Sequence, residues 1–183
     1  MVIYTIQSRQ VLDKLITDKK YTCDAEKSHY KNDFDTEYKW MAAQMDNHAI
    51  PHPDNLIYPI WGWYRINGHE PTLNDLKNFM SKDDIILKIN IPENNILLSD
   101  YDAWHYVLNN MWYDNSTSEH EFDLMHTYFD TLPYFKQKKL KEESWLKIFN
   151  ITKIKTNWFK NGYYVQGTFW EITDNMLIEV IGA

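Results

Sequence analysis

Residues 58–65, Tyr-Pro-Ile-Trp-Gly-Trp-Tyr-Arg, bring together two of the chain's eight Trp, two of its thirteen Tyr and one of its two Arg. As a β-strand, the segment sends Trp61, Trp63 and Arg65 to one face and Tyr58, Ile60, Gly62 and Tyr64 to the other. The first face is an indole shelf ending in a guanidinium. Such a shelf can stack a base, a nicotinamide or a sugar, and the same aromatics also suit a hydrophobic core. A second candidate is the segment around 163–172. Alternation there sets Tyr164, Gln166, Thr168 and Trp170 against Val165, Gly167, Phe169 and Glu171. Gln166 and Thr168 need partners, because burying either unpaired costs about 1–3 kcal/mol, so they bond to neighbouring backbone or point into a ligand cleft. Gly167 leaves room for another backbone or a ligand to approach.

Asp102 and His105, three apart on a predicted helix, have the spacing to converge on an ion or to act as an acid–base pair. Capping is the structural role for Asp102, with Ser99 as the N-cap and Asp102 at the reciprocal N3 position. His48 and His52 are four apart, but Pro51 and Pro53 keep them off a common helical face, and His120, Glu121 and His126 lack i, i+4 histidine geometry. No metal is expected from these spacings. Cys23 lies near His29 without the setting of a nucleophile and reads as an inert thiol. Glycine-rich phosphate loops, a G-x-S-x-G elbow and H-E-x-x-H are all missing from the sequence, which excludes several common enzyme classes.

Positioning these groups takes a fold, and 183 residues suffice for one domain with a substantial core. The chain is 44% hydrophobic, 16% aromatic and 25% charged, which is globular in character. Its formal charge of -7 disfavours indiscriminate binding to duplex nucleic acid, and the basic run at 136–141 is followed at once by Glu142 and Glu143. One cysteine allows no intramolecular disulfide and suits a reducing cytoplasm. Neither a signal peptide nor an apolar run of the roughly 18 residues that span a bilayer is evident, so no membrane partner is expected.

The N-terminal residues read as a strand, followed by Ser8 as an N-cap and by Val11, Leu12, Leu15 and Ile16 at helical spacing. A helix over 33–45 comes next, then the aromatic strand, the Asn67-Gly68 turn and a capping box at Thr72 and Asp75. Residues 84–91 alternate as a half-buried strand, and 96–98 form another short one before the helix carrying Trp104, Val107, Leu108 and Met111. Helices over 118–131 and 142–149 follow. The chain closes with strands over 163–172 and 176–180 joined by a short turn. Strands dispersed among helices imply an α+β domain spanning residues 1–183, with a mixed or antiparallel sheet and several helices.

Five blocks, at 4–7, 38–45, 58–64, 97–105 and 165–171, together resemble a bacterial family known only as a domain of unknown function. The resemblance covers nearly the whole chain and implies kinship without an activity. In element order the chain is also similar to small bacterial ADP-ribosyltransferases that modify nucleic acids. They open with a strand bearing a polar residue that contacts NAD and close with a strand holding a catalytic Glu near a Gln. That similarity implies NAD as cofactor, Trp61 or Tyr64 stacking nicotinamide, Gln7 and Arg65 holding ribose and pyrophosphate, and Glu171 as the catalytic carboxylate. The chain departs from the pattern in placing Thr5 and Gln7 where a His or Arg belongs on the first strand, and in setting Glu171 on the strand face opposite Gln166.

The leading expectation is a small molecule or nucleotide bound in an aromatic-lined cleft. Gln7, Trp61, Trp63, Tyr64 and Arg65 are its contacts from the first half of the chain. Asp102, His105, Gln166 and Thr168 are those from the second. The alternatives are an ADP-ribosyltransferase-like enzyme using Glu171, and a structural or interaction protein with these aromatics in its core or an interface.

Overall fold

The computed structural model describes residues 1–24, 33–114 and 116–182. Its sheet is organised by β4 (Asp84–Asn90), whose alternating Ile and Leu side chains are buried on both faces. β1 (Val2–Ser8) lies antiparallel to it along its full length, from Val2 opposite Asn90 to Ser8 opposite Asp84. With β3 (Ile60–Arg65), β5 (Leu97–Asp100), β8 (Val165–Phe169) and β10 (Leu177–Ile181) they form a six-stranded antiparallel sheet in the order β10-β4-β1-β3-β8-β5. Two small ribbons pair β2 (Lys20–Thr22) with β9 (Glu171–Thr173) and β6 (Ile154–Lys155) with β7 (Lys160–Asn161).

Helices close both faces. On one, α1 (Arg9–Asp18) seats Val11 and Leu15 among Ile3, Ile85, Leu87 and Phe169. On the other, α2 (Asp35–Asn47) and α4 (Tyr101–Leu108) pack Met41, Met45, Trp104 and Val107 with Leu97 and Trp170. α3 (Leu73–Lys77), begun by the Thr72–Asp75 capping box, places Leu76 beside Tyr4, Trp63 and Ile86. α5 (Glu119–Thr131) and α6 (Tyr134–Trp145) follow, and the side chains of Ser144 and Trp145 tie the end of α6 to the loop after α4. Among the described residues no helix is long and apolar enough to cross a membrane.

The architecture is the expected α+β arrangement, with differences that bear on the site. Tyr64 is an extra residue: Trp63 stands opposite Gln166 and Arg65 opposite Val165, so a bulge reverses the alternation and Arg65 leaves the face that carries Trp61 and Trp63. The strand expected over 163–172 divides at Trp170. That ring is buried in the helical cluster and stacked on His52 with centroids 3.9 Å apart, and the chain resumes as β9 in a different sheet. The last strand pairs with β4 and not with its neighbour in sequence. Asp100, and not Ser99, caps α4, accepting from the Ala103 and Gly162 amides, which puts Asp102 in the first turn as a non-capping residue. The basic run at 136–141 lies inside α6, a helix that begins before it.

Candidate functional site

Between β1 and β3 only Tyr4 and Trp63 stand directly opposed. Beyond them backbone pairing stops, and one side chain bridges the strands. The buried Thr5 hydroxyl donates to the Trp61 carbonyl at 2.8 Å, and the Gln7 amide donates to Thr5 Oγ1 at 2.7 Å. Gly62 sits at the same split. A Cβ there would lie 2.4 Å from Ile3 Cγ2, so only glycine lets Ile3 pack this close to β3.

The gap opens into a cavity of about 1150 Å³. Gln7, Val11 and Tyr21 line it from the α1 side of the sheet, while Trp61, Trp104 and Gln166 line it from the other. Its aromatic wall is built on three elements. Trp61 and Trp63 come from β3, Tyr101 and Trp104 from α4, and Tyr38 from α2. The rings brace one another: Trp61 lies 5.1 Å from Trp104 and 5.7 Å from Tyr38, and Trp63 lies 4.9 Å from Tyr101. On the α4 surface, Tyr101, Trp104, His105 and Leu108 recur at the i, i+3, i+4, i+7 spacing of one helix face, which is why all four line the cavity.

Several polar groups here have spare bonding capacity. In one row across the sheet Gln166 stands between Ser99 and Trp63, and its amide has no hydrogen bond among the described residues. Trp61 Nε1 is shielded from solvent and lacks an acceptor among the described residues. His105 Nδ1 donates to the Tyr101 carbonyl at 2.9 Å, leaving Nε2 as the acceptor of the neutral ring. Charge is sparse and mixed, with Lys14 set against Asp24 and Asp84. Cys23 also lines the cavity. Burial and the nearby Asp24 carboxylate push its thiol pKa up, which favours the unreactive protonated form. His29 lies outside the described residues.

Of the ligand contacts expected from the sequence, Gln7, Trp61, Trp63, His105 and Gln166 meet in this cavity. The others lie elsewhere. Arg65 donates to the carbonyls of Gly162 at 2.6 Å and Ile151 at 3.1 Å, holding a loop, and stacks against Tyr64. Tyr64 packs on the core face shared with Ile3 and Phe169. Thr168 is fully buried and its hydroxyl donates to the Leu97 carbonyl at 3.2 Å, a satisfied sheet position. The space above Gly167 is filled by Ile96, whose Cδ1 would be 2.3 Å from an added Cβ, and not by a ligand or another backbone.

Glu171 stands opposite Thr22 in the β2–β9 ribbon and is ion-paired with Lys20. The ribbon's cavity-facing residue is Tyr21, and alternation turns Thr22 and Glu171 away. Asp102 and His105 face different cavities and share no hydrogen bond. His48 binds the Gln44 carbonyl, and His52 bridges Asp46 and the Leu56 carbonyl. Among the described residues no three His, Cys, Asp or Glu side chains converge as metal ligands.

Thr5, Tyr38 and Tyr101 escaped sequence reasoning. Thr5 and Gln7 as polar residues on one face of an otherwise apolar strand were the available signal for the split, and the Tyr101–His105 spacing was the signal for the second wall. Comparison with curated proteins and with solved structures finds no significant match. A family model described as "Domain of unknown function (DUF3841)" matches residues 2–178, so the protein belongs to the DUF3841 family.

Proposed function

We propose that the protein binds a flat, largely uncharged heterocycle, the base or nicotinamide end of a nucleotide, in the cavity between β1 and β3. The observation carrying this reading is the split itself: β1 and β3 pair at Tyr4 and Trp63 and forgo backbone pairing toward Trp61, where Gln7 and Gln166 supply amide edges. The volume exceeds the 300–1,000 Å³ common for ligand sites, leaving space for a ribose as well. Stacking on Trp or Tyr contributes about 1–3 kcal/mol per base. An occupant offering an acceptor to Trp61 Nε1 also removes the cost of a buried, unpaired donor. Lys14 is balanced by Asp24 and Asp84, so the heterocycle lodges inside and any phosphates stay at the mouth. The reading takes residues 1–183 as one cytoplasmic domain, a setting that suits a single, half-buried cysteine. Binding is preferred to ADP-ribosyl transfer because Glu171 is directed away from the cavity and paired with Lys20.

The test is calorimetric and thermal-shift titration with NAD, nicotinamide and adenosine. Saturable stabilisation by at least one of them is expected, with affinity lowered about tenfold by Gln166→Leu and more by Trp61→Leu. No saturable response to any of the three at about millimolar concentration, a range in which weak nucleotide sites already respond, overturns the reading.

A further inference from the structure

α4 has a second lined face. Asp102, Ala103 and Tyr106 point away from the large cavity into a separate one of about 380 Å³, completed by Tyr113 and the 156–160 turn. Four aromatic residues wall it. Tyr106 and Tyr113 are stacked with centroids 4.6 Å apart, Lys147 Nζ lies over the Tyr113 ring at 5.6 Å from its centroid, and Trp158 and Phe159 come from the turn. The walls are held from behind. Lys147 Nζ donates to the Tyr113 carbonyl at 3.0 Å, and Trp158 Nε1 donates to Ser116 Oγ at 3.3 Å.

Asp102 is the carboxylate of this cavity. It sits at the rim, exposed to solvent, and has neither an ion pair nor a side-chain hydrogen bond among the described residues. Partial desolvation raises its pKa, while the nearby His105 and Lys160 side chains pull it down. Lys160 also reaches the rim without forming an ion pair there. Electron-rich ring faces beside an exposed carboxylate that forms no ion pair favour one ligand chemistry. A quaternary or methylated ammonium loses little hydration on entering, is attracted to the rings and neutralises the carboxylate.

From these walls and this carboxylate we propose that the smaller cavity binds an organic cation of the quaternary or methylated ammonium class, its charge held by the Tyr106 and Trp158 rings and Asp102. The site is separate from the large cavity and shares no lining residue with it.

The probe is choline, compared with its uncharged isostere 3,3-dimethyl-1-butanol, and the readout is the indole N–H resonance of Trp158, assigned by its loss in Trp158→Phe. Choline is expected to shift that resonance saturably, the isostere to leave it in place, and Asp102→Asn to weaken choline about tenfold, as removal of a nearby opposite charge does. Asp102 is exposed and caps nothing, so the Asn variant folds, and the folded spectrum provides the check. No saturable shift with choline, an equal shift with the isostere, or unchanged affinity in Asp102→Asn overturns the proposal.

Discussion

The Thr5 hydroxyl donates to the Trp61 carbonyl at 2.8 Å and in turn accepts from the Gln7 amide, so one side chain holds together two strands whose backbones have separated. Thr5→Val keeps the shape and removes both bonds. Loss of about 1–3 kcal/mol is expected, because Trp61 and Gln7 are then left with unpaired polar groups. Thr5→Ser keeps the bonds and gives up only a methyl, worth about 1 kcal/mol. Urea unfolding of the two variants separates the effects.

Gly62→Ala places a methyl 2.4 Å from Ile3 Cγ2 in a packed core. Destabilisation by about 1–3 kcal/mol is expected from overpacking. In the Ile3→Ala background the added methyl has space, so the same substitution becomes nearly neutral. A double-mutant cycle by denaturant unfolding measures this coupling.

Arg65 anchors the carbonyls of Ile151 and Gly162, and it stands on the sheet face opposite Trp61 and Trp63. Arg65→Met should lower stability by about 1.5–3 kcal/mol, the range for hydrogen bonds from a charged donor. Ligand affinity at the large cavity should be unchanged. Calorimetry on the folded variant, beside Gln166→Leu, checks this separation of roles.

Asp114 accepts from His126 Nε2 at 2.9 Å and from the Ser116 amide at 2.6 Å, and this contact helps seat α5. Burial pushes its carboxyl pKa up, but the Ser116 hydrogen bonds and His126 outweigh that and leave it below the ordinary value. A depressed folded pKa stabilises the protein above the unfolded value of about 4, and that contribution disappears as pH falls through the folded pKa. Asp114→Asn should therefore cost stability at pH 7, on the order of 1–2 kcal/mol, and flatten the acid limb of a melting-temperature profile.

The strand read at 84–91 is present as β4, but where alternation gave one buried face, the interior position of β4 buries both, Ile85, Leu87 and Ile89 on one and Ile86 on the other. The same rule misplaces Arg65. A bulge arises from two residues of β3 facing one of β8, and neither strand's sequence contains that mismatch. Residues 163–172 read as one strand because Trp170 and Glu171 continue its pattern. The break comes from Trp170 stacking on His52, a partner far away in sequence. The aromatic shelf of Trp61 and Trp63 was legible as a local cluster. The opposing wall of Tyr38, Tyr101 and Trp104 depends on how α2 and α4 pack on the sheet, which no local period specifies.

α4 separates the two cavities by the thickness of a single helix, with Tyr101, Trp104 and His105 on one side and Asp102, Ala103 and Tyr106 on the other. The partition is only eight residues long, about 12 Å at the helical rise. Any occupant that tilts or stiffens it on one side alters the wall on the other. Such an effect is thermodynamically reciprocal: whatever factor the first occupant imposes on the second, the second imposes on the first. The shared helix makes the two spaces candidates for energetic linkage even though no atom of one borders the other.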